Sequence, residues 1–230
     1  MPEDKPDYIG HRQRLKQRFL LGEGKDMADY ELLELLLTYA LPRRDVKPLA
    51  KTLINTFGSF AEVISASETN LKKINGIKDS SVLIFKLIKI AAQRLCWQTL
   101  ASTDTPILFN TDHLIDYCRA TMAYSEVEEL RIIYMNSKFE IIENEIFLRG
   151  TVDSVGISPR EIVRSALNKN AVGIVLVHNH PSGSVRPSEN DIKVTTAIEE
   201  ACNSVGVKLH DHIIISKSGY FSFAEHNFFS

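Results

Sequence analysis

The 230-residue chain is poor in cysteine, holds one tryptophan and has no long apolar run. Its three cysteines, Cys96, Cys118 and Cys202, stand singly with no CxxC pair, which argues against a disulfide framework and against a thiolate metal site. The longest apolar runs, near residues 35–37 and 173–177, fall far short of the roughly 20 residues a membrane helix needs. The opening residues, Met1-Pro-Glu-Asp-Lys5, lack an apolar signal core, so a reducing, cytoplasmic setting with no membrane partner is the expectation. Repeats and low-complexity tracts are absent. So is any strong excess of charge: 27 Lys+Arg stand against 29 Asp+Glu, a net charge of −2. That balance hides a division. Residues 1–100 carry 16 basic and 12 acidic residues, leaving 11 and 17 for the rest. A surplus of four positive charges over a hundred residues is most simply a solvated surface, and weak nucleic-acid contact is the alternative.

What is present reads as an ordinary globular protein, 44% apolar and 24% charged, with room for two modest domains. Residues 10–96 are helical in pattern. Asp29 precedes the apolar-periodic run Leu32, Leu33, Leu35, Leu36 and Leu37, and Pro42 stops it. A second helix over 46–57 stops at Gly58. Asn75-Gly76-Ile77 then joins two helices in the manner of a helix-hairpin-helix, with Lys78 where a second glycine is usual; the turn is either a phosphate contact or a plain helical hairpin. Residues 98–110 are polar and aperiodic and read as a linker. Beyond them the pattern changes to helix (111–122), two β-branched strands (130–135 and 139–147) around Asn136-Ser137-Lys138, a helix opened by Ser158-Pro159-Arg160-Glu161, a continuous apolar strand (172–178), a helix (188–204) and strands at 207–216 and 220–223. The organisation predicted is a helical domain, 1–97, a linker, 98–110, and an α/β domain with a mixed sheet, 111–230.

Chemistry concentrates in His178-Asn-His180-Pro-Ser-Gly-Ser-Val-Arg-Pro-Ser188-Glu-Asn-Asp191. Residues two apart on a strand share a face, so His178 and His180 leave the sheet together at the strand's carboxyl end, where α/β sheets tend to hold ligands. Asp191 falls in the first turn of the following helix, near enough to be a third ligand. Two neutral imidazoles and one carboxylate leave a tetrahedral zinc with one open position, the arrangement of a catalytic site, about one ion per chain. A carboxylate outside the ligand set must then move the water's proton. Each piece has a duller explanation: a lone His near a strand end is usually a hydrogen-bonded packing residue, and Ser188-x-x-Asp191 is a helix cap. The joint spacing HxHx7SxxD, however, arises by composition in roughly one such chain in a thousand. His212, beside Asp211, either orients a ligand from outside the set or simply packs. His11, His113, His210 and His226 have no ligand spacing.

HxHx7SxxD resembles the signature of the JAB/MPN-type (JAMM) zinc metalloproteases. The wider pattern is similar to the bacterial RadC family: RGTVDS at 149–154, PREI at 159–162, HNHPSG at 178–183, Leu209-His-Asp-His-Ile-Ile214, and in the first half Glu31-Leu-Leu-Glu-Leu-Leu-Leu37 and Pro42-Arg-Arg-Asp45. The resemblance covers nearly the whole chain. It implies an α+β two-domain protein, helix-hairpin-helix-like and then a JAB/MPN (deaminase-like) α/β sandwich. It further implies zinc on His178, His180 and Asp191, Ser188 stabilising a tetrahedral oxyanion, and a glutamate just before the first strand as the base. Glu128 matches that glutamate best; Glu126, Glu129 and Glu161 stay open, although a capping role accounts for Glu161. The reaction implied is cleavage of an amide or isopeptide bond in a peptide or protein substrate. The alternative is a DNA-associated protein of repair or recombination with a vestigial metal site, touching DNA weakly through residues 1–97. The string His178-Asn179-His180 is not the spread-out motif of HNH nucleases, and a zinc nucleobase deaminase would show HxE and PCxxC, both missing.

Overall fold

The computed structural model describes residues 10–42, 44–101, 111–150 and 157–229, and its contacts divide the chain into two compact units, Met1–Ala91 and Ala92–Ser230. In the first unit α1 (His11–Gly22), α2 (Asp29–Ala40), α3 (Lys47–Phe57), α4 (Phe60–Ser65) and α5 (Glu68–Lys72) are followed by α6 (Asp79–Ala101), which continues into the second. The ends obey local chemistry. The Glu31 carboxylate accepts the Ala28 N–H at 3.0 Å, Pro42 follows the end of α2, and Gly58 takes φ +106° behind α3. Ser59 and Ser67 accept the N–H groups of Glu62 and Asn70, starting two short helices that apolar periodicity alone does not separate. Leu33, Leu37, Leu53, Val63, Leu71, Val82 and Phe85 close this core.

The second unit holds α7 (Thr111–Met122), β1 (Glu129–Met135), β2 (Ile141–Arg149), α8 (Pro159–Asn168), β3 (Gly173–Asn179), α9 (Glu189–Asn203), β4 (Lys208–Ser216) and β5 (Gly219–Ser222). The sheet order is β2-β1-β3-β4-β5, antiparallel except for β3 and β4. The fold is therefore the α+β architecture that the sequence predicts. All seven residues of β3 are buried, as a continuous apolar run requires of a central strand. Alternation divides its side chains between two cores. Val175 and Val177 join Leu114, Cys118 and Met122 of α7, whereas Ile174 and Leu176 join Ile162 of α8 and Ile198 and Cys202 of α9. At Gly173 a Cβ would lie 2.6 Å from His210 Nε2, so the strand entry has no room for a side chain.

Two expectations are corrected. Helix α6 runs through residues 98–101, read above as linker, because Leu100 is buried in the α7-side core with Trp97 packed against it; residues 102–110 lie outside the described residues. Ser158 makes no side-chain cap: the Glu161 N–H goes to the Ser158 backbone carbonyl at 3.0 Å, and the Glu161 carboxylate is taken by Arg164 one turn on. The segment 151–154 of the RGTVDS motif also lies outside the described residues. Among the described residues no helix is long and apolar enough to cross a membrane.

Candidate metal centre

The site forms where β3 runs out. Leu130 of β1 pairs with His178, so the antiparallel register carries Glu128 to the level of His180, two residues beyond. Ligand atoms of Glu128, His178 and His180 lie within 4.8 Å of one another. His178 Nε2 is 2.9 Å from His180 Nε2, and the two nitrogens stand 3.3 and 3.5 Å from Asp191 Oδ1 and Oδ2. Two carboxylates thus approach one imidazole pair, one from just before β1 and one from α9. They differ in how they are held. Asp191, third residue of α9, receives the Ser188 N–H and O–H on Oδ2, both at 2.7 Å, while its own N–H goes to Ser188 Oγ at 3.1 Å. That box makes Asp191 rigid. Glu128 is half-buried at the strand entrance, with the Gly150 N–H on its carbonyl at 2.9 Å.

The ring orientations are fixed from behind. His180 Nδ1 donates to the Ser184 carbonyl at 3.0 Å, which turns Nε2 towards His178 and Asp191. The His180 N–H continues the ladder onto the Ile215 carbonyl, and Ser216 and Ser218 hydroxyls hold the Gly183 carbonyl of the HPSG turn. His178 Nδ1 meets His212 Nε2 at 2.7 Å, and Phe223 stacks on His212 at 4.9 Å. Burial pushes the Asp191 carboxyl up, but the His178 and His180 rings and the Ser188 hydroxyl around it outweigh that and hold the group far below the usual carboxylate range. The Asp191 carboxylate in turn raises His180, with burial opposing. Burial, followed by the neighbouring His178, drives His212 well below its ordinary value and keeps it neutral.

Two imidazole nitrogens and a carboxylate this close need a proton or a cation between them. Donors about 2.0–2.2 Å from a tetrahedrally held ion sit about 3.3 Å apart. The observed separations of 2.9, 3.3 and 3.5 Å bracket that value. The donor set therefore fits a small divalent metal.

The geometry brings Glu128, His178, His180, Ser188 and Asp191 together and leaves the rival glutamates elsewhere. Glu129 is buried against Arg131 at 2.5 Å and Arg149 at 3.8 Å, Glu126 is exposed, and Glu161 is held by Arg164. Within the helical unit His11 pairs with Glu34 at 2.7 Å, and His210 packs edge-on against Phe139. Sequence reasoning missed Asn179. Its Oδ1 accepts the Glu129 N–H at 2.9 Å and its Nδ2 donates to the Val127 carbonyl at 3.1 Å, so one side chain grips the backbone on both sides of Glu128. The available signal was an amide at the end of a buried strand, which has to find partners.

Residues 108–228 match the RadC-like JAB domain family. A UPF0758 protein of Ruegeria pomeroyi is 42% identical over 219 residues, 95% of this chain and 97% of its own length. A second, from Rhodobacter capsulatus, is 43% identical over 209 residues, 91% of this chain and 97% of its own. With its motif, its sheet and near full-length relatives in accord, the chain belongs to the RadC-like JAB domain family.

Proposed function

We propose that the protein is a zinc-dependent hydrolase of the JAMM type that cleaves an amide or isopeptide bond. One observation carries the reading: two imidazole nitrogens 2.9 Å apart, each with its other nitrogen occupied, face a single ionised aspartate. His178, His180 and Asp191 would hold the zinc. Bound there, zinc supplies a Lewis acid that polarises the scissile carbonyl and makes a water acidic enough to react near neutral pH. Glu128, at the mouth of the site beside the two imidazoles, takes the proton of the attacking water and returns it to the departing nitrogen. Ser188 commits its hydroxyl to Asp191 in the structure and so orients that carboxylate; turned towards substrate, the same hydroxyl stabilises the tetrahedral oxyanion.

The test combines metal analysis with hydrolysis of a peptide and isopeptide library, read as released amine. The purified chain should hold about one zinc, and His178→Ala or Asp191→Ala should lose it. Glu128→Gln should keep the zinc and lose turnover by at least about a hundredfold. Full hydrolysis by a zinc-free His178→Ala variant would refute the proposal.

A second reading, DNA contact by the helical unit, draws on the turn at Gly76. That residue has φ +103°, and the Arg44 guanidinium lies 3.5 Å from where its Cβ would be, joining a basic group to the hairpin backbone.

A further inference from the structure

His178 and Asp191 are joined by a second path that avoids the ion site. The Thr195 hydroxyl lies 2.5 Å from the Asp191 carbonyl oxygen and 2.6 Å from His212 Nδ1, and His212 Nε2 lies 2.7 Å from His178 Nδ1. The polarity of this chain can be read from its end. A carbonyl only accepts, so the hydroxyl proton of Thr195 lies on the line to Asp191. The Thr195 oxygen is then the acceptor for His212 Nδ1–H. His212 Nε2 is left bare and accepts from His178 Nδ1–H. What remains on His178 is Nε2 with its electron pair directed at His180 and Asp191. Thr195 and His212 are 3% and 2% exposed, so no solvent competes to reverse the order.

We propose that Thr195 and His212 are positioning residues that hold His178 in its Nδ1–H tautomer, the one whose Nε2 can donate to a metal. The consequence for metal binding rests on the zinc reading above; the hydrogen-bond order does not. The chain also ties the two ligand-bearing elements together, because Thr195 sits one turn after Asp191 on α9 and His212 stands on β4 beside β3. Reversing it would place a proton on His178 Nε2 and block donation. Stacking on Phe223 gives His212 a packing role as well, but packing alone needs no hydroxyl at position 195.

Thr195→Val keeps the shape and removes the acceptor, while Thr195→Ser restores it. Zinc dissociation constants of the full-length wild type and both variants, measured by competition with a chelator, should show Thr195→Val weaker by about 10- to 100-fold and Thr195→Ser within about threefold of wild type. Nitrogen-15 NMR of the zinc-free wild type should show His178 protonated on Nδ1. The proposal is overturned by Thr195→Val binding zinc within about twofold of wild type, or by a His178 protonated on Nε2 in the zinc-free protein. A wild type that binds no zinc would overturn the hydrolase reading instead, and the tautomer signal would still decide the hydrogen-bond order. That signal also keeps the test sharp should the valine variant fold poorly.

Discussion

Single residues at the site carry opposite pH signatures, and the signs can be worked out. In zinc-free protein His180 has a folded pKa raised above its unfolded value of about 6.5, chiefly through Asp191. The stability it adds is full below that value and is lost as pH rises through the folded one. Asp191 is depressed instead, so its contribution is present above about pH 4 and lost on acidification below it. The pair is most stabilising between about pH 4 and about pH 6.5. Zinc requires His180 neutral, so its binding strengthens in the other direction. The melting temperature lost on His180→Gln in the zinc-free chain should therefore be larger near pH 6 than near pH 8, while the increment on adding zinc to the wild type grows over that range. A zinc increment that does not change over that range would remove these side chains from the ligand set.

At the scale of elements, much of the architecture is written in periodicity and punctuation. The stop of α2 at Pro42, the stop of α3 at Gly58, the apolar β3 and the capped α9 are all legible, because each depends on neighbours within a few residues. The buried stripe of α9, Asp191, Thr195, Ile198 and Cys202, is legible as a face, with its polar half at the end that meets the imidazoles. What depends on register across strands is not. That His212 reaches His178 follows from a parallel pairing with an irregularity between Ile174 and Val175, which no local pattern announces. The grip of Asn179 on residues 127 and 129 spans fifty positions in the same way. It also gives a test of how β1 is anchored. Asn179→Ala leaves the buried Glu129 N–H without its acceptor, which should lower unfolding free energy by about 1–3 kcal/mol in urea titration. Zinc affinity should stay near wild type, since neither imidazole loses a partner. An unchanged denaturation midpoint would mean that the amide does not anchor the strand entrance.

Across the whole molecule, charge separates what the two halves can do. The candidate metal ligands all fall in the part that carries 17 acidic residues against 11 basic, whereas residues 1–100 carry the positive excess. Within the helical unit that excess has a local focus. Arg12 donates to the carbonyls of Pro42 and Arg44, the Arg44 guanidinium then rests against the Gly76 turn, and the exposed Lys73 and Lys78 flank that turn. A backbone turn with two or three cations around it is suited to two or three phosphates and to no particular base sequence. Each phosphate neutralised releases counterions, so a plot of log affinity against log salt for the full-length chain on a short duplex should have a slope of about −2 to −3. Arg44→Ala should weaken binding alike on unrelated sequences and make the slope shallower by about one. His178→Ala should leave both quantities unchanged, because it removes a proposed zinc ligand and none of the basic groups around the Gly76 turn. Binding that is absent even near 50 mM salt would leave the basic turn a solvated surface and remove the DNA reading. Binding that His178→Ala abolished would instead move the phosphate contact to the metal-site unit, against the charge division on which this prediction stands.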